Sequence, residues 1–253
     1  MKWFKRGALA LLVLLVLAAI LLATAPADLV YRLFASRLGP IRAEGLSGTV
    51  WNGSATALSA FDTPLGKLQW RLDPWLSLRG RPAGTLSIEG SEVRGESRVG
   101  TEGGTVRLHD LKAEFPARLL GPALDIPALV MLGRVAVDVP EAVLTDGILR
   151  QARGVATWRD LGVSGAAEAR LDGVEIGFAP SDAQTIRATV RDLGGALAID
   201  GTVVLRDGRF HAEVRLAARE ANPNIEEALK FIGQLTPDGA SLLIVDGQLY
   251  PLW

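Results

Sequence analysis

The stretch from Gly195 to Leu216 reads GALAIDGTVVLRDGRFHAEVRL. Leu197, Ile199, Val203 and Leu205 lead into Asp207-Gly208, and Phe210, Ala212, Val214 and Leu216 alternate with polar residues on the way out. Asp-Gly between two alternating runs is the signature of a two-residue type I′ turn, because both central positions need positive φ. A β-hairpin is expected here. The same period of two runs through most of the chain.

Lys67-Leu68-Gln69-Trp70-Arg71-Leu72 places Leu68, Trp70 and Leu72 on one face and Lys67, Gln69 and Arg71 on the other, the pattern of a half-buried strand. Thr85 to Glu89, Thr105 to His109, Arg134 to Val139 and Ile186 to Arg191 read the same way. The Asp-Gly cue returns in Leu171-Asp172-Gly173-Val174 and Val245-Asp246-Gly247-Gln248, so a series of hairpins is expected. Phe115 to Gly133, broken by Pro116, Pro122 and Pro127, reads as a crossing loop with at most a helical turn at Ala117 to Leu120. One helix is predicted near the C-terminus: Asn222 is an N-cap, Pro223 takes the first helical position, and Ile225, Leu229 and Ile232 follow at helical spacing. The fold class expected is mainly β, serial antiparallel strands forming a curved sheet or a sandwich.

Gly66-Lys-Leu-Gln-Trp70-Arg71 is echoed 88 residues later as Gly154-Val-Ala-Thr-Trp158-Arg159. With Asn52-Gly53 set against Asp146-Gly147, the echo suggests two similar halves, about 44–140 and 141–253. Chance recurrence in a glycine-rich chain is the alternative.

The amino-terminal end has a different character. Lys2, Lys5 and Arg6 precede a run without charge from Gly7 to Ala27, which as a helix would span roughly 30 Å, the thickness of a bilayer's hydrocarbon core. The run is longer than the apolar part of a signal peptide, and the one plausible cleavage site, Ala23-Thr24-Ala25, is followed by Pro26. An uncleaved anchor is therefore expected over 7–27, a cleaved signal being the alternative. The basic residues place 1–6 in the cytoplasm and 28–253 in the periplasm, a single-pass inner-membrane arrangement.

Residues 28–253 carry 24 basic against 28 acidic residues, which implies no nucleic-acid partner. Cysteine is absent, which excludes disulfides and thiol chemistry. The two histidines, His109 and His211, fall on polar strand faces without partners at metal or triad spacing. Gly45-Leu-Ser-Gly48 and Gly162-Val-Ser-Gly165 both miss the final glycine of a nucleophile elbow, and no phosphate loop occurs. No catalytic, cofactor or metal residue is assigned, and a non-enzymatic protein without cofactors is expected.

The residues singled out are tryptophans. Trp70 lies on the apolar face of its strand, and a glycine near a ring marks a close approach that the aromatic fills, an account that also fits Trp51 and Trp158. A ligand-stacking platform is the other reading. Trp253 ends an apolar terminus, Leu249 to Trp253, folded on the sheet or offered to a partner.

Leu46-Ser-Gly-Thr-Val-Trp51-Asn-Gly-Ser-Ala55 and Gly66-Lys-Leu-Gln-Trp70-Arg-Leu-Asp-Pro74 resemble protein N of the bacterial type II (general) secretion pathway, as do the basic start and apolar helix before them. The likeness continues through Gly154 to Trp158 and Leu243 to Leu249. The resemblance implies a membrane-anchored accessory component that supports export of folded proteins across the outer membrane, with other secretion components of the inner or outer membrane and inner-membrane lipid as partners. It carries over no catalytic residues. The strand pattern is also similar to AsmA-like proteins that carry lipid along an apolar groove. Leu86, Ile88, Val106, Leu108, Val135 and Val137 would line such a trough if it stood open.

Overall fold

The computed structural model describes residues 24–35, 40–60, 63–120, 129–165, 169–170, 172–220, 229 and 233–249. Helix α1 (Ala27–Phe34) leads into strands β1 (Ile41–Gly48), β2 (Asn52–Ala60) and β3 (Thr63–Leu72), then the short helix α2 (Pro74–Leu78). Strands β4 (Ala83–Glu89), β5 (Arg94–Glu102), β6 (Thr105–Pro116), β7 (Leu129–Thr145), β8 (Ile148–Gly165) and β9 (Ala169–Arg170) follow. The chain continues with β10 (Gly173–Pro180), β11 (Thr185–Asp192), β12 (Leu197–Arg206), β13 (Arg209–Ala218), β14 (Gln234–Leu235) and β15 (Ser241–Gln248).

These strands make one sheet, each hydrogen-bonded to its neighbour in sequence except that β9 branches from β8 and β15 lies between β13 and β14. Every pairing is antiparallel, as short connections require. The result is an open meander in which β1 and β14 are the ends and do not pair with each other. Of the two architectures expected, the described residues form the single curved sheet and no two-sheet sandwich.

The strands read from alternation fall inside β3, β4, β6, β7 and β11. Asp207 and Gly208, with φ of 51° and 78°, form the expected turn between β12 and β13, and Asp146-Gly147 turns β7 into β8 in the same way. The other two Asp-Gly pairs do something else. Gly173 opens β10 with an extended φ of 159°. Asp246 and Gly247 lie inside β15, opposite His211 and Phe210, and a Cβ at Gly247 would meet the Phe210 ring at 2.4 Å. That glycine makes room for an aromatic ring, and no turn is needed. Asn52-Gly53 likewise begins β2, so it does not match the Asp146-Gly147 turn.

The expected crossing loop is shorter than the prolines suggest. β6 runs to Pro116, a 3-10 turn covers Ala117–Leu119, and β7 has begun by Leu129.

Burial on β7 shows why long strands can bend. Val135 and Val139 are buried at odd positions and Ala142 and Leu144 at even ones. The register against β8 shifts between Asp138 and Glu141, so an extra residue is inserted and the inward-facing set changes parity. The boundary proposed between halves, 140/141, falls within β7 at this shift. Near it the sheet curls. β8 and β11 have Cα atoms within 8 Å although β10 lies between them, and Ile186 of β11 packs in one cluster with Val139, Ala142 and Ala152.

Most of the expected anchor, 7–23, lies outside the described residues. Pro26 forms a β-bridge with Thr49, and Ala27 is buried at the start of α1, so the end of the apolar run lies against the β-domain. Among the described residues no helix is long and apolar enough to cross a membrane. The C-terminal helix expected from Asn222 also lies outside the described residues, except Leu229. That residue is helical, 1% exposed, and packed with Val174, Val190, Leu197, Ile199 and Leu216.

Candidate interaction surface

The echoed tryptophans perform the same local task. Trp70 stands opposite Gly53 on β2, and its indole N–H donates to the Val50 carbonyl at 3.0 Å and to that of Thr49 at 3.2 Å. Trp158 stands opposite Val135 on β7, and its indole N–H donates to the Leu132 carbonyl at 2.8 Å. In both cases the acceptor lies three residues before the residue paired with the ring, where the preceding strand starts or bulges. A buried indole N–H needs such a partner. The leading glycines match too: a Cβ on Gly66 would meet the Glu89 carbonyl at 2.5 Å, and one on Gly154 the Asp138 carbonyl at 2.3 Å.

Gly53 answers for its ring directly. A Cβ there would meet the Trp70 ring at 2.4 Å and the Ser47 carbonyl at 2.6 Å. Trp51 is half-buried, and its carbonyl accepts the Leu72 N–H at 2.6 Å. Trp51 lies in the β1–β2 turn and the Trp70 N–H reaches carbonyls of that turn, whereas Trp158 lies in the second half, between two buried clusters. Trp253 lies outside the described residues.

The opposite face is charged. Glu89 is opposite Arg94, Arg94 opposite Glu114, Glu96 opposite Lys112, and Lys112 opposite Asp138. Such pairs stabilise a sheet by roughly 0.2–1 kcal/mol each, at the low end when exposed. They line a trough of about 600 Å³ with Ser87, Val155 and Thr157. Signs alternate from strand to strand, four carboxylates against two cations, so the trough carries a net charge of −2 and reads as a solvated face. Among the described residues no group of three or more His, Asp or Glu could hold a metal.

Ile88 and Val137, two of the apolar positions considered for a lipid groove, line the trough as well. Of the six apolar positions considered for a lipid groove, Val135 is buried beside Met131 and Ala117, and Val137 and Leu108 pack onto buried clusters. Leu86, Ile88 and Val106 are half-buried.

The sheet's late edge is more exposed. β14 pairs only Gln234 and Leu235 with Leu242 and Ser241, so from Leu243 to Gln248 β15 has no further strand beside it among the described residues. Ile244 is 43% exposed there. On the polar face beside it His211 sits between Asp246, at 2.7 Å from Nδ1, and Glu213, at 3.2 Å from Nε2. The hydrogen bond to Asp246, then that to Glu213, raises the histidine above its ordinary 6.5. The early edge is partly occupied, since the Ala43 N–H donates to the Tyr31 hydroxyl of α1 at 3.0 Å.

Comparison with known proteins agrees with the residues above. The family described as type II secretion system (T2SS), protein N, matches residues 39–242. The chain belongs to the type II secretion system protein N family. The match runs from just before β1 to the start of β15, so the family pattern covers nearly the whole meander. The type II secretion system protein N of Aeromonas hydrophila is 30% identical over 143 residues, which is 56% of this chain and 52% of that relative. The alignment thus spans about half the relative's length. No solved structure matches.

Sequence reasoning missed one surface feature. α2 carries Trp75, Leu76 and Leu78, all exposed, and none of its residues is buried. Its signal was present in Asp73-Pro74, an N-cap followed by proline at the first helical position: the Asp73 carboxylate accepts the Trp75 and Leu76 N–H groups at 2.8 and 3.2 Å.

Proposed function

We propose that this chain is an accessory, non-enzymatic component of type II secretion. On this reading the apolar run from Gly7 holds it in the inner membrane with the N-terminus in the cytoplasm, and the β-domain works in the periplasm as a binding module. Family membership supports the secretion role, and Lys2, Lys5 and Arg6 ahead of the apolar run support the orientation. The observation that carries the binding role is the edge of β15, which has no further strand beside it from Leu243 to Gln248 among the described residues. Its backbone groups from Leu243 to Gln248 are disposed to accept another strand, with the exposed Ile244 within that stretch. The partners are other secretion components of the inner or outer membrane.

A photo-crosslinking residue at Ile244, in the full chain in its native envelope, tests this. A covalent adduct with a secretion-system protein, absent when the same residue replaces Glu89 in the charged trough, is the expected result. Adducts at Ile244 that contain only lipid would overturn it. The competing reading, lipid carriage along the apolar face, draws on the half-buried Leu86, Ile88 and Val106. It requires lipid recovered in constant ratio to purified protein.

A further inference from the structure

The registers bring the end of the apolar run and α2 to one end of the sheet. Ala25 accepts the Val50 N–H at 3.0 Å, and Pro26 bridges Thr49 in the β1–β2 turn. Trp51 in that turn accepts the Leu72 N–H at the end of β3, and Asp73, the cap of α2, donates to Ala83 at the start of β4. α2 is thus about two strand spacings, roughly 10 Å, from the point where the run joins the domain.

Three large apolar side chains crowd α2 at that place. Trp75 is 74% exposed, Leu78 56% and Leu76 38%. Isolated exposed apolar residues are ordinary, but a contiguous group next to a basic stretch is not. Arg79 and Arg81 follow directly, and Arg81 is paired with Glu102. An amphipathic tryptophan, leucines and arginine in one exposed turn is the combination that settles at the boundary between headgroups and acyl chains.

We infer that α2 rests in the periplasmic leaflet of the membrane that holds the chain, with Trp75, Leu76 and Leu78 in the boundary layer and Arg79 against anionic headgroups. The occupant follows from where residues 1–23 join. A membrane-embedded run leaving the bilayer at Thr24 brings the β1–β2 turn, and α2 beside it, to the bilayer surface. The contact would fix the sheet's tilt and hold the β15 edge at a set height. The inference rests on the anchor reading above.

The chain has no cysteine, so a single one can carry a probe. Full-length Leu78→Cys, labelled with an environment-sensitive fluorophore, is reconstituted in vesicles of phosphatidylethanolamine and phosphatidylglycerol that contain headgroup-nitroxide lipid. Leu193→Cys, at the opposite end of the sheet and 46% exposed, is the reference. The expected result is quenching at least roughly threefold stronger at position 78 than at 193, as insertion at the boundary requires. A Trp75→Asp, Leu76→Asp background should bring it down to the reference level. Equal quenching at both positions, with the protein still floating with the vesicles, overturns the α2 contact alone. A protein that does not float with the vesicles overturns the anchor, and the contact with it.

Discussion

The two ends of the sheet carry the same alternation and differ in how it is used. From β6 onward the apolar face carries three buried clusters, and Leu229 comes from outside the strands to pack on Val174, Ile199 and Leu216. In β1–β5 the equivalent face, Leu68, Trp70, Leu86 and Ile88, is only half-buried, and the buried apolar residues described in these strands and their turns are Ala55, Leu58 and Val93. Alternation makes a strand two-faced, but curl and a covering element make a core. The second part is therefore the stability reservoir. The first part, with α1 and α2, leaves Leu29, Leu33, Trp75 and Leu78 exposed.

The largest effect should come from the cover. Leu229→Ala should destabilise the protein by about 2–5 kcal/mol, as for other fully buried leucines, whereas Leu86→Ala should cost about 1 kcal/mol. Denaturant unfolding of the full chain in detergent decides this, and equal losses would remove the distinction between the two regions. Next is Gly53→Ala, which drives a methyl group into the Trp70 ring and the Ser47 carbonyl and should cost about 1–3 kcal/mol. Gly100→Ala, where the nearest atom is the Ala83 Cβ at 4.0 Å, should be near neutral in the same assay.

The tryptophan echo can be sharpened with Trp70→Phe and Trp158→Phe. Each keeps a ring and loses the indole donor, and each should cost about 1 kcal/mol. A loss at Trp158 with none at Trp70 would break the equivalence of the two motifs.

The smallest effects are in pH dependence, and two groups of the second region have opposite signs. Asp192 accepts the Ile199 and Gly194 N–H groups, each at 2.9 Å, and pairs with Arg219. The Ile199 bond first, with Gly194 and Arg219 adding to it, outweighs burial and lowers the carboxyl below its ordinary 3.8. Its contribution is present above that value and is lost as pH falls through the folded one, so Asp192→Asn should flatten the acid limb of the stability curve. His211 is raised, so its contribution is full below 6.5 and is lost as pH rises through its folded value. His211→Gln should remove that loss. Thermal unfolding from pH 3 to 9 reads both.

Much of the fold was legible because its signals are local. Alternation in Lys67 to Leu72 and the Asp207-Gly208 turn depend on neighbours in sequence, and both stand as read. Alternation placed Trp70, and the echoed motif Trp158, within strands, but the carbonyls that receive their N–H groups, in the β1–β2 turn and on β7, belong to distant parts of the chain. Asp246-Gly247 misled, because the same dipeptide serves a turn or a ring opposite it, and only the partner strand tells which. α2 was passed over because five residues are too few to show helical periodicity. Its surface role depends on what lies beside it.

By itself the sequence determined an antiparallel β-chain with a charged and an apolar face, an apolar run preceded by positive charge, and the secretion family to which the chain belongs. Tertiary structure decided where β7 changes its inward parity, which glycines turn the chain and which make room for rings, and which part of the apolar face is buried. The reason is physical. Side-chain alternation and turn φ values are properties of a few adjacent residues, whereas bulge register, curl and cover arise from strands that meet only after the chain has folded.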